Sequence, residues 1–348
     1  MRYVLLTSES ADVARGSGTA MAVARLRAAL AAEDVVVPVV RSNRPWPSQT
    51  FARWSFNRAL RSHRFLDVDA VLGVNGDGWM GAESWRAPFV ALIKALYGGA
   101  LEYEHGLTKR LLSLHAHWEA AGAQRAAAVV VPSQFAAAAV AQRYAVDRAR
   151  IHIVPEPFDA AAWRTALPVR RRAGNRVLCV AHLYARKRIA DLIRAWPAVV
   201  SQRPGARLDI AGDGPEMRRL AHPARVLPGV FLHGHVEPEA LFEFYARADV
   251  FCLPSAQETF GYAVVEAMAS GLPVVYADAG ALPEMCAGAV AEPVTPGDID
   301  SLAAALLRAL DADHVQRAAT VNPERAGRFA PHAVAAQLMQ VVARNAST

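Results

Sequence analysis

The sequence contains no long apolar run and little cysteine. No stretch approaches the ~20 apolar residues of a membrane-spanning helix, and the apolar run that follows Arg2 is too short for a signal peptide. Cys179, Cys252 and Cys286 form an odd set without metal-ligand spacing, and the first two lie in apolar strand candidates. These absences argue against a membrane-spanning protein and against a disulfide-stabilised secreted one. We therefore expect a cytoplasmic protein with buried free thiols.

Lysine is also scarce, and the net charge of +6 comes almost entirely from arginine. Lys94, Lys109 and Lys187 are the only lysines among the 348 residues. Because a composition rich in arginine and alanine partly reflects coding bias, the charge alone is weak evidence for a nucleic-acid partner, and we expect none. With 53% hydrophobic and 20% charged residues, the chain is typical of a globular protein rather than a disordered one.

One local basic patch lies between positions 48 and 65, where a helical projection predicts one apolar and one basic side. The apolar side comprises Phe51, Ala52, Phe56, Ala59 and Leu60, and the basic side comprises Arg53, Asn57, Arg58, Arg61 and Arg64, with Trp54 and Phe65 among them. The favoured interpretation is a helix packed on a sheet with a solvated basic side. The alternative is a surface for an anionic acceptor or for the inner face of a membrane, so peripheral membrane contact stays open.

Short β-rich apolar runs alternate with longer helical patterns along the whole chain. This rhythm predicts βαβ units, and therefore an α/β fold built on doubly wound parallel sheets. The predicted strands are 3–6, 35–40, 70–74, 89–93, 128–131, 151–154, 177–181, 208–211, 230–233, 250–253 and 274–276. The predicted helices are 19–32, 48–65, 101–121, 133–144 with Ser133 as its cap, 302–310 and 331–342.

The length is that of about two domains. Residues 167–175 are polar and rich in helix and strand breakers, so they are the predicted linker. The linker separates a Rossmann-like domain at 1–166 from a second at 176–325, and 326–348 are predicted to form a helix that packs back on the first domain. A ligand is expected in a cleft between two such domains.

Two glutamates eight residues apart flank a glycine turn in the second half of the chain. Glu258 precedes Gly261, where a helix is predicted to begin, and Glu266 lies in the first turns of that helix. Helix N-terminal amides and about half a positive charge from the helix dipole attract an anion. A diphosphate over Phe260, Gly261 and Tyr262 would leave Glu266 close to a ribose. The pattern predicts a nucleotide-sugar site, and the alternative is a pair of solvated surface acids.

Three further segments end predicted strands at the same edge of the sheet. The segment from His182 to Arg188 contains Arg186 and Lys187 just ahead of a helix, which suits phosphate oxygens. Gly212 belongs to a Gly-Asp-Gly-Pro turn, which is either a ligand loop or a plain structural turn. Gly234, followed by His235, permits the backbone to approach a flat base closely.

In this order and spacing, these segments resemble the second domain of the retaining glycosyltransferases of family 4, which have the GT-B fold. The resemblance covers residues 177–286, including the run Glu-Ala-Met-Ala-Ser-Gly-Leu-Pro at 266–273 and Ala-Gly-Ala-Leu-Pro-Glu at 279–284. It implies an enzyme that moves a hexose from a nucleoside-diphosphate sugar to an acceptor hydroxyl with retention. UDP is favoured over GDP on family frequency, and the acceptor is a glycan, a lipid-linked sugar or a small metabolite.

The resemblance implies roles for the residues that match its motifs. Glu266 would bind the donor ribose, Glu258 the hydroxyls of the donor sugar, and Lys187 the diphosphate. His182 stands where the family usually has arginine; a neutral imidazole still donates one hydrogen bond, and Arg186 or Arg188 is left to supply a cation. The predicted catalytic residues are Glu258, Lys187 and His182. The predicted donor-binding residues are Glu266, Phe260, Gly261, Tyr262, Arg186, Gly212, Gly234 and His235.

The first half of the chain matches the family less closely. Gly16 and Gly18 look like its glycine-bearing loop after the first strand, and a simple turn is the alternative. Lys94 stands where the family often has a histidine, and Asn75 and Asp77 close the third predicted strand. All five are acceptor-side candidates.

We expect no cofactor and no metal, because a helix N-terminus and Lys187 can stabilise the charge of a leaving diphosphate. The acidic pair Asp67 and Asp69 precedes a strand and is interpreted as its polar lead-in. Two alternative functions remain. One is a glycoside hydrolase that uses Glu258 and Glu266, although such an enzyme needs no phosphate-binding segment. The other is a non-catalytic protein that binds nucleotide-sugars.

Overall fold

A computed structural model describes residues 2–8, 18–32, 39–41, 48–65, 68–169 and 174–346 of the chain. Strands and helices alternate throughout, as the sequence predicts. The strands of the first sheet are β1 (Tyr3–Thr7), β2 (Val39–Arg41), β3 (Ala70–Val74), β4 (Phe89–Leu92), β5 (Ala128–Val131) and β6 (Ile151–Ile153). The strands of the second sheet are β7 (Arg176–Val180), β8 (Arg207–Ala211), β9 (Val230–Gly234), β10 (Val250–Leu253), β11 (Val274–Ala277) and β12 (Ala291–Val294).

The helices connect these strands and cover both sheets. In the first half they are α1 (Gly18–Ala32), α2 (Gln49–Leu60), α3 (Tyr97–Ala100), α4 (Gly106–Arg125), α5 (Gln134–Tyr144) and α6 (Ala160–Ala166). In the second half they are α7 (Ile189–Gln202), α8 (Met217–Val226), α9 (Pro238–Arg247), α10 (Tyr262–Ala269), α11 (Leu282–Cys286), α12 (Ile299–Ala309), α13 (Ala312–Gly327) and α14 (Pro331–Ala346).

Both sheets are doubly wound, and every described strand pair is parallel. The strand orders are β2-β1-β3-β4-β5-β6 and β12-β11-β10-β7-β8-β9. The order therefore reverses between β1 and β3 in the first sheet and between β7 and β10 in the second. In open parallel sheets, ligands bind outside the carboxyl ends of the strands at such a switch point. The predicted α/β class with two doubly wound sheets is confirmed.

The chain divides into two compact units, but not at the predicted linker. Unit 1 comprises Met1–Pro157 with Phe329–Thr348, and unit 2 is Phe158–Arg328. The boundary precedes 167–175 because α6 packs against α10 and α13 of unit 2. Trp163 in α6 packs against Phe242 with the two rings tilted by 46°, and it donates a hydrogen bond of 2.9 Å to Ser270. Residues 170–173 of the predicted linker lie outside the described residues.

Helix α14 belongs to unit 1, although it ends the chain. It packs against α1, where Leu26 and Leu30 are buried. Leu338 and Val342 of α14 enter the same apolar cluster as the strand residues Leu5 and Leu72. The last helix thus completes the cover of one face of the first sheet.

Most predicted elements lie within a few residues of the observed ones, and the predicted cap of α5 is present, since Ser133 accepts from the Ala136 amide at 3.1 Å. Strand β12 and helix α13 are among the elements that were not predicted, as are the helices α3, α6, α8, α9 and α11. Pro293 and Pro323 interrupt the patterns of β12 and α13, and proline is tolerated in β12 because this strand lies at the sheet edge. Predicted residues 35–38 lie outside the described part of the chain.

The expectations about thiols agree with the structure. Cys179, Cys252 and Cys286 are buried and free, and burial raises the pKa of Cys179 to about 12, so its thiol stays protonated. Within the described ranges, no helix combines the length and apolar character that crossing a bilayer requires.

Candidate functional site

The switch point of unit 2 brings Lys187 and Glu258 together. Lys187 follows β7 and Glu258 follows β10, and these neighbouring strands are paired. The Lys187 ammonium donates to Glu258 Oε1, and the two side chains are only 13% and 12% exposed. The Ala256 amide donates to the Arg186 carbonyl at 2.8 Å, which ties the two loops together through their backbones. The two residues predicted to be catalytic are therefore in direct contact.

A third loop holds the backbone of Glu258 in place. The Ala281 amide, after β11, donates to the Glu258 carbonyl at 3.0 Å. The adjacent Gly280 has φ +62°, and a Cβ there would lie 2.7 Å from the Glu258 amide nitrogen. A side chain at Gly280 would push Glu258 away from Lys187, so this glycine is required by close approach and by its left-handed backbone.

Helix α10 begins at Tyr262, as the glycine turn predicts. Gly261 is the N-cap residue with φ 87°, and it has no side chain with which to cap the helix. Phe260 is buried and meets the Tyr262 ring edge-on, with 5.0 Å between ring centroids. The N-terminal end of α10 thus follows three residues after Glu258, at the carboxyl edge of the sheet, where an anion is favoured.

Glu266 is buried in α10 and is held by residues that the sequence did not indicate. The Tyr245 hydroxyl, fully buried in α9, donates to Glu266 Oε2 at 3.0 Å. Ser270 donates to the Glu266 carbonyl at 2.8 Å, and Ser270 in turn accepts from Trp163. A buried carboxylate is costly without such partners. The interpretation of Glu258 and Glu266 as solvated surface acids is therefore wrong.

The protonation of the predicted cations follows from their surroundings. Burial lowers the pKa of Lys187, and the adjacent Glu258 carboxylate opposes that shift. The pKa of His182 is lowered first by desolvation, although the residue has an exposed surface, and then by the charges of Lys187 and Arg186. His182 is therefore neutral at pH 7 and acts as a hydrogen-bond donor or acceptor rather than as a cation.

The glycine turns after β8 and β9 fit against the loop of His182. A Cβ at Gly212 would lie 1.8 Å from the Ala181 carbonyl oxygen, and the Gly212 amide donates to the Gly234 carbonyl at 2.7 Å. Gly234 has φ +71°. Gly212 therefore has a packing role, and Gly234 is favoured by its left-handed backbone, whatever ligand either one meets. His235 is exposed, with Nε2 3.4 Å from Glu237 Oε1.

Arg186 and Arg188 have different environments. The Arg186 guanidinium lies over the Tyr184 ring at 4.5 Å, whereas Arg188 pairs with Asp191 at 2.6 Å. A cavity of about 260 Å³ lies beside Arg188, and neither Lys187 nor Glu258 lines it. Its arginines already have carboxylate partners, since Arg194 and Arg219 also form ion pairs. The candidate site therefore lies at the switch point and not in this cavity.

The prediction for the basic side of α2 is wrong for Arg53 and Asn57, which are fully buried. Arg53 donates to Ser8 Oγ at 2.9 Å and lies 3.4 Å from Asp77 Oδ1. The Asn57 side chain donates to Asp77 at 3.0 Å. Phe51, predicted on the packed side, is exposed. The helix is rotated from the predicted orientation because buried partners satisfy the Arg53 guanidinium.

Asp77 is also occupied within unit 1 and does not present an open carboxylate. It is fully buried and accepts from the Ser8 amide at 2.6 Å and from the Ser8 hydroxyl at 2.8 Å. Burial raises its pKa, and the Arg53 charge and these hydrogen bonds oppose the shift. The predicted acceptor contact of Asp77 is therefore corrected to an internal role at the β1–β3 switch point.

The other acceptor-side candidates are likewise engaged or not described. Asn75, with φ 49°, accepts from the Lys94 amide at 2.7 Å and donates to Thr19 at 3.2 Å. Lys94 donates to both carboxylate oxygens of Glu156 at 2.7 Å. Gly18 is the exposed first residue of α1. Gly16 lies outside the described residues, so its prediction stays a prediction.

Burial shifts the pKa values of several titratable groups of unit 1, among them His115 and Glu119. Burial and then the Arg53 charge lower the pKa of His115 to about 3. Burial raises the pKa of Glu119 to about 7, although hydrogen bonds from Tyr144 and the Tyr97 amide oppose the shift. Glu119 Oε1 is buried and has no hydrogen-bond partner in the described structure. Protonation of Glu119 is therefore coupled to the folding of unit 1.

No metal-binding group of three or more His, Cys, Asp or Glu side chains occurs among the described residues. Asp67, the first acid of the pair at 67–69, is not one of these residues.

Two family descriptions match the chain, one in each half. Residues 13–162 match "Glycosyltransferase Family 4", and residues 174–312 match "Glycosyl transferases group 1". The chain belongs to the family 4 glycosyltransferases. The predicted resemblance is confirmed, and it extends into the first half of the chain, where the sequence motifs were weak.

Relatives of this glycosyltransferase include enzymes with different named activities. It is 31% identical over 299 residues to the MMP alpha-(1->4)-mannosyltransferase of Mycolicibacterium hassiacum. This alignment covers 83% of this chain and 66% of that protein. It is 35% identical over 167 residues to the glycogen synthase of Mycobacterium tuberculosis, which covers 47% of this chain and 40% of the synthase. The alignments thus span between two fifths and about two thirds of these relatives.

Solved structures share the fold of this glycosyltransferase. The sucrose-phosphate synthase of Thermosynechococcus elongatus matches with a TM-score of 0.78 at 21% identity, covering 99% of both chains. Anabaena Alr3699/HepE, solved in complex with UDP and glucose, matches with a TM-score of 0.72 at 17% identity, again covering 99% of both chains. At these identities the likeness concerns the fold.

We expect the Lys187–Glu258 pair to show measurable coupling in the folded glycosyltransferase. Lys187→Met alone leaves a mostly buried carboxylate without its cation, and Glu258→Gln alone leaves the cation without its carboxylate. The two single changes should therefore lower the free energy of unfolding, when summed, by more than the double change does. The coupling energy from urea unfolding of the four proteins should be about 1–3 kcal/mol.

The control for this cycle is the half-exposed pair Glu243 and Arg247 on α9. Arg247→Met and Glu243→Gln should couple by less than about 0.5 kcal/mol, because water screens the charges. Equal coupling in the two pairs would contradict the buried contact at the switch point.

We also expect Glu119→Gln to change how stability depends on pH. Between its ordinary pKa of 4.5 and its folded pKa of about 7, wild-type Glu119 is protonated when folded and ionised when unfolded, so its stabilisation is lost as pH rises. His115 acts in the opposite direction, since its stabilisation is present above pH 6.5 and lost as pH falls.

The free energy of unfolding of Glu119→Gln minus that of wild type, measured by urea unfolding, should therefore be about 3 kcal/mol larger at pH 7 than at pH 4.5. Glu102→Gln is the control, because Glu102 is half exposed and pairs with Arg143 at the surface. A constant difference between Glu119→Gln and wild type across this range would show that Glu119 titrates normally.

Proposed function

We propose that this protein is a retaining, metal-independent glycosyltransferase that moves a hexose from a nucleoside-diphosphate sugar to an acceptor hydroxyl. The observation that carries the proposal is the contact of Lys187 with Glu258 at the unit 2 switch point, beside the start of α10. A cation, a helix N-terminus and two held carboxylates suit a ligand with a diphosphate at its centre and hydroxyls on both sides. Membership of the glycosyltransferase family supports the same conclusion.

The donor would lie with its diphosphate between Lys187 and the first turn of α10. Glu266, fixed by Tyr245, would accept hydrogen bonds from the ribose hydroxyls. Glu258, fixed by Gly280 and Ala281, would accept them from the donor sugar. Arg186 and neutral His182 would donate to phosphate oxygens. Carboxylates that are already oriented lose little freedom when they bind hydroxyls, which favours affinity.

In the proposed reaction, the bond from the anomeric carbon to the β-phosphate oxygen breaks as negative charge develops on the diphosphate. Lys187 and the α10 dipole stabilise that charge. The acceptor oxygen bonds to the anomeric carbon from the same face, and the acceptor proton passes to the leaving phosphate. This route retains the configuration and requires no protein nucleophile. Neither glutamate is assigned as a nucleophile, because each is already engaged, with Lys187 or with Tyr245.

UDP is the expected nucleotide and GDP the alternative. HepE was solved with UDP and with UDP-glucose, which supports UDP. Relatives named as GDP-mannose-dependent mannosyltransferases support GDP. The acceptor is proposed as a glycan, a lipid-linked sugar or a small metabolite, and use of a nucleotide-sugar agrees with a cytoplasmic location.

Two other functions are separated from this one by chemistry. A hydrolase releases sugar from a glycoside without any nucleotide. A non-catalytic binder holds the donor and releases no nucleotide. Donor-dependent release of nucleoside diphosphate therefore distinguishes the transferase from both alternatives.

Binding of the donor can be tested by thermal unfolding with UDP, GDP and their hexose conjugates. A bound nucleotide at about a hundred times its Kd should stabilise the protein by roughly 2.7 kcal/mol. Glu266→Ala should lose most of this shift because the ribose contact is gone, and Tyr245→Phe should lose part of it. The 2′,3′-dideoxy nucleotide should give equally small shifts with all three proteins.

Tyr276→Phe on β11 is the matched control, since it deletes one hydroxyl from the same unit without touching Glu266. If wild type shows no shift with any nucleotide, the transferase proposal is wrong. If Glu266→Ala keeps the full preference for ribose, the assignment of Glu266 is wrong while the proposal stands.

The role of Lys187 can be tested by comparing the turnover of variants at two adjacent cations, Lys187 and Arg188. Lys187→Gln should lower kcat/KM by at least about 100-fold, because Lys187 stabilises charge that develops in the transition state. Arg188→Gln removes the same charge one residue away but breaks only the ion pair with Asp191, and it should cost less than about tenfold. Equal losses would contradict the role of Lys187. Loss of turnover with EDTA would contradict metal independence.

A further inference from the structure

The exposed large apolar side chains of unit 1 are concentrated on two neighbouring helices. On α4, Leu107, Leu111 and Leu114 are 71%, 37% and 46% exposed, and on α2, Phe51 is 44% exposed. The leucines are four and three residues apart, so they form one stripe along the first half of α4. Single exposed apolar residues are ordinary, but a stripe of this kind indicates an interaction surface.

The helix that carries the stripe is anchored at its other end. The second half of α4 is buried in unit 1 through residues such as Trp118, Glu119 and Ala123. The two helices meet where Thr50 Oγ1 contacts His115 Nε2 at 2.9 Å. Phe51 follows Thr50, and Leu111 and Leu114 precede His115 within one turn. The apolar side chains of α2 and α4 therefore lie around a single contact and form one surface.

The exposed charges that α2 and the first half of α4 carry beside these apolar side chains are basic. Arg58 is exposed on α2, and Lys109 and Arg110 are exposed on α4. Residues 48–65 contain no acid, and the only acid within α4 is Glu119, which is buried. We call Phe51, Leu107, Leu111 and Leu114 with these three cations the basic apolar surface.

Two aromatic rings strengthen the same surface. Trp54 stacks on Phe51 with ring centroids 5.5 Å apart, and the Arg58 guanidinium lies 5.5 Å from the Trp54 ring. Tryptophan and arginine side chains with an apolar body and a polar end suit the boundary between lipid headgroups and acyl chains.

We propose that the basic apolar surface binds an anionic lipid bilayer, with α4 lying in the plane of the headgroups. Leucine side chains at one face and cations at its margin match the requirements of an interfacial helix, which gains both from apolar burial and from anionic headgroups. A second copy of the chain fits less well, because a two-fold contact would bring the three cations of one copy close to those of the other. The proposal is independent of the reaction assigned to unit 2.

The test is sedimentation of the full chain with vesicles of phosphatidylcholine alone and with about 30% phosphatidylglycerol. Wild type should bind the anionic vesicles and not the neutral ones. The variant Leu107→Gln, Leu111→Gln, Leu114→Gln should bind anionic vesicles at least about tenfold more weakly, because the apolar contact is lost. The variant Lys109→Gln, Arg110→Gln should also lose about tenfold or more, and its binding should depend less on salt.

The control is Val226→Gln with Phe231→Gln, which removes two exposed apolar side chains from unit 2 and should bind vesicles as wild type does. All of these positions are exposed, so each variant should fold, and the midpoint of its thermal unfolding without ligand reports whether it has. Equal binding to neutral and anionic vesicles, no binding, or binding unchanged in the leucine variant would overturn the proposal. So would a dimer in solution that the leucine substitutions dissociate while vesicles bind nothing.

Discussion

The reversal of strand order between β7 and β10 is the constraint on which the candidate site depends. Parallel strands send all their loops to one edge of the sheet, and at the reversal two adjacent loops turn in opposite directions. Lys187 and Glu258 occupy these two loops and meet there. The Ala256–Arg186 and Ala281–Glu258 backbone hydrogen bonds hold the three loops around the pair. The ion pair, the start of α10 and Glu266 are thus all positioned by the strands and loops at this edge of the second sheet.

The two switch points have the same topology but different contents. At the unit 1 switch point, Arg53 and Asp77 are 1% and 0% exposed and are satisfied by Ser8 and Asn57. At the unit 2 switch point, Lys187 and Glu258 remain partly accessible. A buried pair with all its hydrogen bonds satisfied contributes to specificity of the fold, whereas a partly accessible pair can exchange one partner for a ligand. This difference explains why we assign the donor to unit 2.

Residues that were misjudged from the sequence are mostly polar ones that the fold buries. Arg53 and Asn57 were placed on the solvent side of α2 because charged and amide side chains are seldom buried. Asp77 and Asn75 follow a strand at a sheet edge, which is the pattern of a binding residue, yet both are fully buried and have partners within unit 1. Lys94 pairs with Glu156, and its acceptor role stays a prediction. Tyr245 gave no signal at all, since a tyrosine near the end of a helix is ordinary.

The local pattern by itself determined the alternating strands and helices and the glycine turn before α10, and it predicted functional roles for Glu258 and Glu266. These features depend on periodicity, helix capping and spacing within a few residues. Only the tertiary structure decided that Lys187 contacts Glu258, that Tyr245 and Trp163 support Glu266, and that Arg53 lies inside. Such contacts join residues far apart in the chain, and their energies depend on burial and on which partner fills each hydrogen bond.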